Sequence, residues 1–106
     1  MVSQVDKLSE HPLKVYERLD PEALKRVEEN RKFAMAGEAL PPKFKLLLIM
    51  ALDASQGAAQ GVRANTAAAL RAGATKEEVA ETIRVTQYVC GVGSTYVTAH
   101  ALENMF

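Results

Sequence analysis

The chain has 106 residues, 48% of them hydrophobic and 25% charged, which excludes a disordered or low-complexity chain and bounds it at one domain. Thirteen Lys and Arg balance thirteen Asp and Glu. Without a basic excess the chain lacks what phosphate neutralisation requires, so no nucleic-acid partner is expected.

The opening stretch, MVSQVDKLSEHP, contains no apolar core of the kind a secretion signal needs. The longest wholly apolar run, Leu46 to Leu52, is far too short to span a membrane. Together with a single cysteine, Cys90, which can form no intrachain disulfide, this predicts a cytoplasmic protein without membrane contact. The two histidines, His11 and His100, and Cys90 show no zinc-ligand spacing, so neither metal nor cofactor is expected.

Almost every segment reads as helix. A short one is predicted from about Pro12 to Leu19. The next has Asp20 as N-cap, Pro21 at the first helical position and Glu22 in the first turn, and stops at Gly37. Leu40-Pro41-Pro42 breaks the chain. A helix then runs to about Gln56, and its centre, LLLIMAL, is apolar on every side, which predicts burial all round. A chain of this length has little interior to surround such a helix, so a homo-oligomer is expected.

Residues 54–74 are dominated by Ala, Gly and Ser, a composition that lets a neighbouring backbone come close. Gly73 is placed to end this segment, and Thr75 with Glu78 forms a capping box for the next. Val79, Ile83, Thr86 and Cys90 then fall on one helical face. Gly91-Val92-Gly93 interrupts, and Ser94 is the expected cap of a last helix from Thr95 to about Met105. The expected fold is an all-α, compact orthogonal bundle of five to six helices. It forms a single domain with an N-terminal helical arm (1–37) and a core (38–106).

Four features of residues 40–103 carry a family resemblance. They are LPPKFK opening the apolar helix, NTAAALRAGATKEEVAETI, the glycine break VCGVG, and the Ala-rich last helix. Together they resemble the carboxymuconolactone decarboxylase family, which includes the alkylhydroperoxidase D-like proteins. The resemblance implies an all-helical fold assembled into trimers, hexamers or similar rings through its small-residue helices. It also implies one of two chemistries. One is a thiol peroxidase built on a Cys-x-x-Cys pair, a histidine four residues further on, and a glutamate on the preceding helix. The other is decarboxylation of a carboxylated lactone, with a histidine at the matching position.

Carried onto this sequence, the two cysteine positions fall at Ala58 and Gly61, the histidine at Asn65, and the glutamate at Leu46. None of these side chains can supply a thiol, relay a proton or act as a base. A dithiol cycle needs two sulfurs, and the chain has one. The fold is expected to be inherited and the redox centre lost.

The remaining chemistry is assigned by residue type. Asp53 follows the apolar run and lies seven residues after Leu46, on nearly the same helix face. It is a candidate catalytic carboxylate, with a structural ion pair or a solvated helix end as the competing reading. Arg63 is the expected partner of Asp53 or the clamp for a substrate carboxylate. Asn65, Gln60 and Thr66 are expected ligand contacts, and satisfied interface groups are the plainer alternative. Tyr96, a further expected ligand contact, and His100, four apart, are expected to meet, with His100 as a second candidate proton carrier and a core or surface histidine as the competing reading. Cys90, near a helix C-terminus and on the apolar face, is expected to be a buried, unreactive thiol.

The function expected from these residues is binding or processing of a small carboxylated or lactone-type molecule at a subunit interface. If the protein is an enzyme, it is a decarboxylase-like lyase. An alkylhydroperoxide reductase working through Cys90 and a catalytically inactive oligomeric scaffold, or paralogue subunit, are the alternatives.

Overall fold

The computed structural model describes residues 12–106, and His11 lies outside them. Among the described residues there are six α-helices and no strand. They are α1 (Tyr16–Leu19), α2 (Pro21–Ala36), α3 (Pro42–Ser55), α4 (Ala59–Arg71), α5 (Lys76–Cys90) and α6 (Val92–Ala101). The all-helical expectation holds. None of these helices is long and apolar enough to cross a membrane. The chain divides after Gly37 into two compact units.

In the first unit α1 packs on α2. The Asp20 side chain accepts a hydrogen bond from the Ala23 amide (3.1 Å), and Pro21 follows at the start of the helix. Gly37 ends α2 in extended backbone. No residue of α2 is buried, which accords with its polar middle, Glu28 to Lys32.

The second unit is built around α3, which touches each of α4, α5 and α6. Leu47, Met50 and Ala54 bury one face of α3 against Val62 and Ala69 of α4, Val79 of α5 and Ala101 of α6. Small side chains at 54, 69 and 101 let the helices come close, as the composition of 54–74 implies. Four hydroxyls are buried with the apolar groups, and each has a partner. Thr66 Oγ1 lies 3.2 Å from Met50 Sδ, while Thr86, Ser94 and Thr98 donate to the Thr82, Gly91 and Thr95 carbonyls. That accounting removes the desolvation cost of burying them.

The Thr75 capping box forms in full. Glu78 N–H donates to Thr75 Oγ1 at 3.0 Å, and Thr75 N–H donates to Glu78 Oε1 at 2.9 Å. Gly73 takes φ +102°, the left-handed conformation that closes α4.

Three expectations need correction. The LLLIMAL run is not buried on every side, because Leu48 and Leu52 are 51% and 55% exposed. Only three neighbouring helices of the unit pack on α3, so one side of it is left open. Ser94 is not the cap of the last helix. Gly91 reaches φ +85° and completes the break alone, so α6 begins at Val92 and Ser94 falls within its first turn. Cys90 is exposed rather than buried. The stripe begun by Val79 and Thr86 loses its cover at the end of α5, where residues 87–93 are all exposed.

Candidate functional site

Asp53 lies in the last turn of α3, and Asn65 lies midway along α4. The short connection between the helices starts from Asp53 itself, whose carbonyl accepts from both the Gln56 and Ala58 amides. This turn sets α4 back against α3. Asn65 Nδ2 then reaches Asp53 Oδ2 at 3.1 Å and the Gly61 carbonyl at 2.9 Å. Both side chains are half-buried.

Gly61, one helical turn before Asn65, is what leaves room for the carboxylate. A Cβ built at Gly61 would overlap Asp53 Oδ2 and stand 2.7 Å from Asp53 Cγ. That is closer than unbonded carbon atoms approach. Sequence reasoning saw in Gly61 only a missing cysteine. The available signal was its position four before Asn65 and eight after Asp53, which puts three polar or small residues at one helix–helix contact.

The other expected site residues lie elsewhere. Arg63 does not pair with Asp53. Two residues from Gly61 and two from Asn65, it projects from the opposite side of α4, and its Nη1 donates to the Ala101 carbonyl at 2.9 Å. It therefore caps the C-terminal end of α6, where a cation complements the helix dipole. His100 points outward, with Nδ1 4.0 Å from Glu103 Oε2, and no hydrogen bond joins it to Tyr96 or Asp53. Tyr96 is 74% exposed. Gln60 is exposed in the first turn of α4. Among the described residues no group of three or more His, Cys, Asp or Glu is placed to hold a metal ion.

A second feature of this unit is a groove of about 370 Å³ between α3 and α5. Phe44, Leu48, Ala51 and Val85 line it, with Glu78 and Glu81 on its acidic side. Lys43 Nζ sits 3.0 Å from Glu78 Oε2. The Thr75 amide, and then the Lys43 ammonium, hold the Glu78 carboxyl below the usual glutamate range. No sequence spacing marks a pair 35 positions apart, and it was missed.

With this geometry in hand, the comparison with family models is decisive. The model described as carboxymuconolactone decarboxylase family matches residues 21–104. The chain belongs to this family. Comparison with curated proteins and with solved structures gives no match. The match to the carboxymuconolactone decarboxylase model begins at Pro21, so it takes in α2 as well as the four helices of the second unit. The resemblance read from residues 40–103 therefore extends further toward the N-terminus than the motifs that announced it.

Proposed function

We propose that this member of the carboxymuconolactone decarboxylase family binds a small organic molecule beside the Asp53–Asn65 pair, at a contact between subunits, without the family's redox centre. One observation carries the reading. The Asp53 carboxylate, held by Asn65, fills the space over Gly61, where a second thiol would have to stand. A carboxylate has taken over the position, and a half-buried carboxylate is a competent proton acceptor when a substrate meets it.

The subunit contact rests on the apolar surface of the second unit. Phe44, Leu48 and Leu52 form an i, i+4, i+8 stripe along α3 whose groove Val85 of α5 shares, and Tyr88, Val89 and Val92 are exposed around the end of α5. Each is about half exposed or more. Contiguous apolar surface of this kind marks association, and a net charge of zero does little to oppose it.

A screen of small metabolites by thermal shift, run in parallel on the wild type and on Asp53→Ala, tests the site. A compound that stabilises the wild type and loses its effect in the variant supports the reading. Compounds that stabilise both equally refute it. Native mass measurement tests the interface, and a monomer at micromolar concentration would refute a site shared between subunits.

The exposure of Cys90 favours a second reading. Its thiolate would attack a hydroperoxide, releasing the alcohol and leaving a sulfenic acid, which an external dithiol would reduce with loss of water. Peroxide turnover unchanged in Cys90→Ala eliminates this reading.

A further inference from the structure

The hydrogen-bonding capacity left at the Asp53–Asn65 pair is of one kind. A primary amide carries two N–H donors. Asn65 uses both inside the protein, one on Asp53 Oδ2 and one on the Gly61 carbonyl. What remains for a ligand is Asn65 Oδ1 and the unused lone pairs of the Asp53 carboxylate, and these are acceptors only. Among the described residues no ion pair to Asp53 is seen: Arg26, Lys43 and His100 face Glu22, Glu78 and Glu103 instead. The one arginine near in sequence, Arg63, is turned to the Ala101 carbonyl on the other side of α4.

We propose that the ligand enters this site through a hydrogen-bond donor that carries positive charge, a protonated amine above all, and that carboxylates are rejected. The inference rests on the reading that the Asp53–Asn65 pair is the ligand site, and it reverses the class of molecule expected from the sequence. A carboxylate would bring two more acceptors and a second negative charge to a pair that offers neither a free donor nor a cation. A lactone carbonyl would also bring only acceptors. An ammonium group supplies three donors and the missing charge, and a charge-assisted hydrogen bond to a carboxylate is among the stronger polar contacts.

The test compares two probes of the same shape, benzylamine and benzoate, titrated into the full-length protein. The readout is the pair of Asn65 side-chain NH₂ resonances in a nitrogen-correlated spectrum. Benzylamine is expected to shift them saturably, while benzoate at the same concentrations leaves them in place. Asp53→Asn, which keeps the shape and removes the charge, is expected to weaken benzylamine binding about tenfold or more. The backbone amide spectrum of the variant verifies its fold. If benzoate shifts Asn65 and benzylamine does not, the donor requirement is wrong while the site stands. Binding of benzylamine that survives Asp53→Asn unchanged also overturns the donor requirement. If neither probe reaches Asn65, the site reading falls together with this inference.

Discussion

Gly61→Ala offers the sharpest test of the Asp53–Asn65 arrangement, because the sign of its effect depends on one neighbouring carboxylate. Gly61 lies within a helix and its φ is not positive, so on propensity alone alanine should stabilise by about 1 kcal/mol. The added Cβ, however, would stand 2.7 Å from Asp53 Cγ and overlap Oδ2. Asp53 must rotate away, and its 3.1 Å bond from Asn65 goes with it. A hydrogen bond to a charged group contributes about 1.5–3 kcal/mol. The propensity gain offsets part of that, and the expected net loss is about 0.5–2 kcal/mol. In an Asp53→Ala background the obstacle is gone, and the same substitution should stabilise by up to about 1 kcal/mol. Urea denaturation of the wild type, both single variants and the double variant closes the cycle. If Gly61→Ala stabilises equally in both backgrounds, the carboxylate does not occupy that space, and the site described above is wrong.

Further expectations follow from the same contacts. Met50 is fully buried at the centre of the core and meets the Thr66 hydroxyl, so Met50→Ala should cost about 2–5 kcal/mol in urea denaturation; a loss under 1 kcal/mol would contradict its place in the core. Arg63→Ala should lower stability by about 1 kcal/mol through loss of its bond to the Ala101 carbonyl, yet leave any Asp53-dependent ligand binding unchanged, as calorimetry can verify. Glu78 titrates lower in the folded state than in the unfolded chain, so its contribution is present above the unfolded value and fades as pH falls through the folded one. Stability should therefore decline on the acid side, and Glu78→Gln, which retains a capping-box residue, should flatten that decline between pH 7 and pH 3; an unchanged slope would falsify the assignment. Leu48→Asp, in the exposed α3 stripe, should shift the native mass toward smaller species without unfolding the chain.

The helices were legible because their signals are local. Asp20 and Pro21 start α2, the Thr75–Glu78 box starts α5, and Gly73 ends α4, each within a span of four residues. Family membership was legible for a similar reason, since NTAAALRAGATKEEVAETI is contiguous. What could not be read was which side of a helix meets a neighbour. Arg63 and Asn65 are two residues apart, and the sequence placed both at one site, but the helical period sends them to α6 and α3. The uniform apolarity of LLLIMAL carries no face information, so the exposure of Leu48 and Leu52 is invisible until the neighbouring helices are in place. Cys90 keeps the period of a buried stripe to its last member, where α5 has outrun its cover.

That solitary, accessible sulfur also makes the chain easy to instrument. One maleimide-linked spin label per polypeptide would attach at the tip of α5 with no engineering. Pulsed dipolar spectroscopy on the labelled material would then return inter-label separations if the proposed self-association occurs, their number reporting its symmetry, and none if the polypeptide stays alone.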